Sequence, residues 1–172
     1  MLIERCCSDS SALSEEVPFG CATLRITETI DLTHFKTHRV INEIRRYAKR
    51  CGVRVGTWIS IPCTAGCPWR YINARKGIAT GDIVLTNKLI DRCVSFANAV
   101  KNDGGYVVWE WPSRCDLWKD PRVRALTSHP GGNFVDVSSS AVDWNMVVNG
   151  RKIYLSKKWR LFTTERDIAK VL

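Results

Sequence analysis

The alternation of strand-like and helix-like stretches along these 172 residues predicts an α/β fold: one domain over 1–172, with a mostly parallel sheet and a short β-rich C-terminal segment. Three observations support this. Residues 1–7, 21–27, 53–61 and 106–112 are rich in β-branched, aromatic and other apolar side chains, the composition of buried strands. Residues 32–51 and 87–101 repeat their apolar side chains at intervals of three and four, the spacing of a helix with one buried face. Strand, helix and strand in succession make βαβ units, whose crossover returns the chain to the same end and leaves the strands parallel.

Each element has a local reason. After residues 1–7 comes Ser8-Asp9-Ser10-Ser11, a polar turn whose side chains suit the N-cap of a following helix. Pro18-Phe19-Gly20 interrupts the chain before the second strand, which runs out at Glu28 and Asp31. In the first long helix the apolar positions are Phe35, Val40, Ile41, Ile44, Tyr47 and Ala48, with Gly52 just beyond as a stop. The strand over 53–61 is ended by Pro62, which has no N–H to give a ladder. Residues 70–80 are polar and basic, with Gly77 and Gly81 breaking any pattern, and predict a loop beside that strand end. Leu89, Ile90, Cys93, Val94, Ala97 and Val100 form the stripe of the second helix, stopped by Asp103-Gly104-Gly105. The strand over 106–112 again halts at a proline. Short helices are expected near Leu117 and over 123–126, strands over 133–137 and 160–164, and a short helix at the end. Asn149-Gly150, between residues 146–148 and 152–155, favours a tight hairpin turn.

The net charge is +9, from 26 Lys and Arg against 17 Asp and Glu with His neutral. That excess points to a polyanionic partner more than to a small neutral metabolite. Basic residues group at 45–54, 70–76 and 151–160, interleaved with Trp69, Tyr71, Tyr154 and Trp159. The mixture suits phosphate contact with base stacking, and the alternative is a solvated face. Nucleic acid is the expected partner, with Arg70, Arg75, Arg114, Lys157 and Lys158 as candidate contacts. The start of the chain has no apolar signal core, and no apolar run approaches the ~20 residues of a membrane helix. The expectation is a cytoplasmic chain with its eight cysteines reduced and no membrane association. Cys63 and Cys67 have zinc-like spacing, yet no second close pair follows, and His34 and His38 lack a third ligand in their motif, so no metal is expected.

Two proline-stopped strands ending at one edge deliver a thiol, Cys63, and a carboxylate, Glu110. The carboxyl edge of an open α/β sheet is where ligands bind. Taken alone, Cys63 also fits a buried cysteine acting as a small hydrophobe. A deprotonated thiol attacks an electron-poor ring carbon, the more readily when a neighbouring carboxylic acid protonates or hydrogen-bonds the ring.

On these residues, Ile61-Pro62-Cys63-Thr64 resembles the Pro-Pro-Cys-Gln motif of the cytosine-5 DNA methyltransferases, and Trp109-Glu110-Trp111-Pro112 resembles their Glu-Asn-Val motif. The resemblance covers residues 2–112. It implies a Rossmann-like, class I methyltransferase-like fold, DNA ahead of RNA as substrate, and S-adenosylmethionine as cofactor. It also implies Cys63 as the nucleophile toward cytosine carbon 6 and Glu110 as the partner of ring nitrogen 3. Cofactor contacts then fall on the first two strands, at Glu4, Ser8 and Ser10, with Glu28 or Asp31 for the ribose hydroxyls. The family's glycine-rich cofactor loop is replaced here by Cys6-Cys7-Ser8-Asp9-Ser10, its Gln-x-Arg-x-Arg motif has no counterpart, and Gly81-Asp82-Ile83 mimics its adenine-contacting motif out of order. The wider pattern Ile-Pro-Cys-Thr-x-Gly-x-Pro-Trp is similar to small methyltransferase-like proteins of phages and mobile elements, which implies a viral source and the host cytoplasm. The second expectation, of another class, is a catalytically inactive methyltransferase-like phage protein that binds nucleic acid or a host defence protein.

Overall fold

The computed structural model describes residues 1–9, 11, 13, 21–138, 145–154 and 158–171. Six strands, β1 (Leu2–Cys7), β2 (Thr23–Thr27), β3 (Gly56–Ile59), β4 (Tyr106–Pro112), β5 (Asn133–Ser138) and β8 (Lys158–Thr163), form one sheet in the order β2-β1-β3-β4-β8-β5. β1 pairs parallel with β2 and β3, β3 pairs parallel with β4, and β8 runs antiparallel to both β4 and β5. One reversed strand in a parallel sheet is a mixed α/β arrangement compatible with a Rossmann-like fold. The expected C-terminal β-rich segment divides. β8 enters the main sheet, while β6 (Asn145–Val148) and β7 (Arg151–Tyr154) pair only with each other across Asn149-Gly150, whose φ values of 50° and 73° are those of a type I′ turn.

One side of the sheet carries the core. Ile3, Ile26, Ile59, Val107 and Trp109 cluster with Ile41 and Ala48 of α1 (Phe35–Arg50) and with Ile90, Cys93, Phe96, Ala97 and Val100 of α3 (Ile83–Asn102). The apolar stripe read along α1 splits: Ile41 and Ala48 are buried, while Phe35, Val40 and Tyr47 are 61%, 57% and 63% exposed. Arg45 takes a place on the buried face instead. It donates to the Ala99 carbonyl at 3.3 Å and ion-pairs with Asp103, the C-cap of α3, which also holds Lys49 at 2.6 Å. A buried charge needs such a partner.

The basic stretch expected as a loop contains a helix, α2 (Trp69–Arg75). Its seven residues are too few for periodicity to show, and tertiary contact decides: Arg70 donates to the Ala65 carbonyl at 2.8 Å, bracing the turn before it. α3 begins earlier than its stripe suggests because Asp82 caps it, accepting from Val84 N–H at 2.8 Å and Leu85 N–H at 3.0 Å. Gly81-Asp82-Ile83 is thus a helix start. A 3₁₀ turn over Asp116–Lys119 leads to α4 (Pro121–Thr127), and α5 (Arg166–Val171) ends the described chain. The helix expected after the first polar turn, and positions Ser10 and Lys157, lie outside the described residues. No helix among the described residues is long and apolar enough to cross a membrane.

A Cβ added to Gly105 meets the Val55 carbonyl oxygen at 2.1 Å, whereas one at Gly104, with φ +78°, meets nothing within 4 Å. Gly105→Ala should therefore cost about 3 kcal/mol through forced backbone shifts, and Gly104→Ala only about 1 kcal/mol of left-handed strain, read as urea midpoints. The Asp120 carboxyl accepts from Arg122, which holds it below the usual carboxylate range. Its stabilisation is full above the unfolded value of about 4 and is lost as pH falls through the lower folded value. Asp120→Asn, which keeps an N-cap, should cost about 0.5–1 kcal/mol at pH 7, and the gap from wild type should close at pH 2 in thermal melts.

Candidate functional site

Strand register sets the geometry of the edge. Arg5, Ile59 and Trp109 lie side by side across β1, β3 and β4. Cys6, Ser60 and Glu110 are consequently the next residues outward on three neighbouring strands. A cavity of about 310 Å³ opens there, walled by these three residues and by Glu4, Cys7, Ser8, Ser11, Leu13 and Trp58. It stands where the connectivity reverses: the chain passes from β1 outward to β2, then through α1 to β3 on the other side of β1. Such switch points are the usual ligand crevices of open α/β sheets.

The lining is polar and acidic. Glu4 is only 2% exposed, its Oε1 accepts from the Ser11 hydroxyl, and its Oε2 has no partner among the described residues. A buried carboxylate oxygen in that state calls for a donor or a cation from a ligand. Ser60 donates to Glu110 Oε1 at 2.8 Å and fixes that carboxylate at the rim. Arg25 donates to the carbonyls of Asp9 and Ser11 at 2.8 and 2.7 Å, holding the segment with Ser8 over the end of β1.

Cys63 stands one loop away. β3 ends at Ile59, short of the expected 61, so Cys63 falls in the following turn, where its carbonyl accepts from Gly66 N–H at 2.9 Å. The corner is tied down on both sides: Trp111 Nε1 donates to the Ile61 carbonyl at 2.7 Å, and Asp116 N–H to the Gly66 carbonyl at 2.8 Å. Half-buried Cys63 is a neighbour of Cys67 and Cys115, and it is absent from the cavity wall that Glu110 lines. Burial, and then these two thiols, push Cys115 up to about 12. Among the described residues no group of three His, Cys, Asp or Glu is arranged to hold a metal ion.

The structure therefore brings Glu4, Ser8 and Glu110 together and leaves the other candidates apart. Glu28 is exposed past β2, and Asp31 accepts from Thr33 N–H and Oγ1 at 2.8 and 2.6 Å in the turn before α1; neither lines the cavity. Arg75, Arg114 and Lys158 are exposed without an ion-pair partner among the described residues. Much of the remaining basic excess is engaged internally, as in Arg54 with Glu165 at 2.6 Å and Arg160 with Asp136 at 2.7 Å. Trp58, Ser60, Ser11 and Cys6 were not anticipated. Counting outward from the strand ends in register finds Ser60 and Cys6, and alternation finds Trp58, while Ser11 depends on a fold-back that no local pattern encodes. Compared with protein-family models, curated proteins and solved structures, the chain matches none.

With its thiol held neutral, Cys115 should react slowly with iodoacetamide at pH 8, while exposed Cys51 reacts quickly. Timed alkylation followed by tryptic mass spectrometry should show at least a tenfold lag for the 115–119 peptide behind the 51–54 peptide.

Proposed function

We propose that the chain is a class I methyltransferase-like enzyme that transfers a methyl group from S-adenosylmethionine to carbon 5 of cytosine in nucleic acid, with DNA the preferred substrate. The observation that carries the reading is the joined pair of strand ends: Ser60, three residues before Cys63 on the β3 side, holds Glu110 of β4 at 2.8 Å. A thiol and a carboxylate on adjoining corners meet the needs of addition to a pyrimidine ring.

The cofactor fits the cavity chemically. The unpartnered Glu4 Oε2 and the Ser8 hydroxyl suit its hydroxyl and ammonium donors, and Trp58 offers an aromatic face to a cationic sulfur. When bound, S-adenosylmethionine supplies an activated methyl group on a sulfonium sulfur. The chain's residues do the rest. Cys63, as thiolate, adds to carbon 6 as the carbon 5–carbon 6 double bond opens, and Glu110, protonated on the oxygen that Ser60 does not bond, donates to ring nitrogen 3 and draws electron density from the ring. Once carbon 5 carries the methyl group it loses its proton to solvent and the Cys63–carbon 6 bond breaks, restoring the ring and the thiolate. Ser60 keeps Glu110 turned toward the edge. The base leaves its stack to reach them, since carbon 6 is closed to attack within a duplex. Arg75, Arg114 and Lys158, with Arg70, supply phosphate contacts around the corner.

A second reading, a methyltransferase-like protein that binds nucleic acid or a phage host's defence protein without turnover, is favoured by one observation. Cys63 does not line the cavity that holds Glu4 and Glu110.

Calorimetry with the cofactor and tritiated methyl transfer to DNA and RNA separate the two. The enzyme reading expects cofactor binding, label at cytosine carbon 5, loss of transfer in Cys63→Ser, and a fall of about 10²–10⁴-fold in Glu110→Gln. Absence of cofactor binding rejects it, and nucleic-acid binding without transfer supports the second reading. With four or so phosphates contacted, DNA affinity should drop about a hundredfold between 50 and 200 mM salt, as fluorescence anisotropy would show.

A further inference from the structure

β1 ends irregularly. Its register against β2 shifts between Arg5 and Cys7, and Cys6 adopts φ +59°, left-handed backbone that a non-glycine residue rarely takes. That turn carries Cys6 to the rim, where it lines the cavity and also packs against the core beside α3. The neighbouring Arg5 ties the same point to the same helix. Its Nη1 donates toward the Arg92 carbonyl at 3.5 Å, and its guanidinium lies 4.6 Å from the centroid of the Phe96 ring. Cys93 lies between these two anchors on α3, fully buried, in the core cluster against which Cys6 packs.

Arg5 itself is fully buried, and its Nε and Nη2 have no partner among the described residues. No carboxylate pairs with it among those residues. A buried cation in that state favours a negative charge close by. The two thiols are set apart in the direction that suits it: the neighbouring Cys6 thiol and then the charge of Arg5 hold Cys93 below its ordinary value against the opposing effect of burial, while Cys93 and burial push Cys6 up. His38 of α1, held low by burial and by Arg5, adds no competing charge.

We propose that Cys6 and Cys93 are a modification site, a dithiol that closes to a disulfide when hydrogen peroxide enters the cavity at the carboxyl edge of the sheet. With its proton passed to Cys93, the Cys6 thiolate attacks one peroxide oxygen. The O–O bond breaks, hydroxide leaves and is protonated to water, and Cys6 becomes a sulfenic acid. Cys93, losing its proton, then attacks the Cys6 sulfur, and the S–O bond breaks with loss of a second water. Two thiols are oxidised and one peroxide is reduced to two waters. The bridge fastens the end of β1 to α3 and draws Cys6 out of the cavity wall. The bridge forms whichever ligand the cavity takes.

The test uses the full chain, reduced, desalted and treated with hydrogen peroxide. Remaining thiols are then blocked with N-ethylmaleimide in denaturant, and the chain is digested with trypsin without reduction. Cleavage after Arg5 and Arg92 places Cys6 in the 6–25 peptide and Cys93 in the 93–101 peptide. The expected result is a cross-link between these peptides at a peroxide dose that leaves at least nine-tenths of exposed Cys51 alkylated by N-ethylmaleimide. Cys7 and Cys21 share the first peptide, so Cys6→Ser should abolish the link and Cys7→Ser should retain it. In Cys93→Ala, a small apolar replacement, oxidation should stop at a Cys6 sulfenic acid that dimedone traps. Full alkylation of Cys6 and Cys93 after peroxide, or a link that persists in Cys6→Ser, would overturn the proposal.

Discussion

The hydrogen-bond ladder that seats β3 between β1 and β4 governs the rest of the molecule. With Arg5, Ile59 and Trp109 in one row, the three strands reach the carboxyl edge together, and Ser60 N–H still bonds the Arg5 carbonyl at 3.1 Å one step beyond. A slip of one residue would exchange the two faces of β3, sending Trp58 into the helix layer and Ile59 toward the acidic side. The placement of Glu4 and Trp58 on one side, and of Arg5 and Ile59 on the other, follows from this single register. So does the meeting of Ser60 with Glu110, since neither residue carries any local signal of the other.

How much of this the sequence discloses depends on the range of the force involved. β4, the Asn149-Gly150 hairpin, the 3₁₀ turn and α4 follow from composition, turn chemistry and proline, all of them local, and fall where those signals place them. The ends of β3 and α2 do not. β3 stops at Ile59 although Ile61 extends its pattern as far as Pro62, because the chain turns there to bring the Ile61 carbonyl to the Trp111 indole. α2 depends on a contact between Arg70 and Ala65. Periodicity also assigned Phe35, Val40 and Tyr47 to a buried stripe, but only the line through Ile41, Arg45 and Ala48 faces the core, with a charge in the middle of it. Of the candidate site, Glu110 is legible from its position just before a strand-ending proline, while Glu4 and Ser8 follow only from the resemblance. Their joint cavity is not legible, since it needs strand order as well as strand identity.

A series of rings in contact fixes the reversed strand. Trp109, Trp111, Trp118, Phe134 and Phe162 follow one another with centroids 5.1, 5.2, 5.7 and 5.5 Å apart, mostly edge to face, and Phe162 returns to stand opposite Trp109 across the β4–β8 pair. Edge-on pairs of this kind add about 0.5–1.5 kcal/mol each beyond the area they bury. Gly132 makes room for the last ring, since a Cβ there would lie 2.3 Å from Phe162. The far end of the sheet is thus held by aromatic packing, while the cavity end is held by backbone register and a few polar contacts.

The interior position of β1 bears on how the chain reaches this state. β1 precedes β3 in sequence yet lies between β2 and β3, and β4 completes its far side only by pairing with β8, residues 108 to 163. Until residues 56–59 are available, one edge of β1 exposes unsatisfied N–H and C=O groups to any strand that passes, from this chain or another. Loop closure over such separations is slow to be rewarded, so assembly should be governed by non-local contacts and lag behind the formation of α1 and α3. On a ribosome that interval lengthens with the time needed to synthesise α1, and the edge of β1 is the surface a chaperone would have most reason to cover.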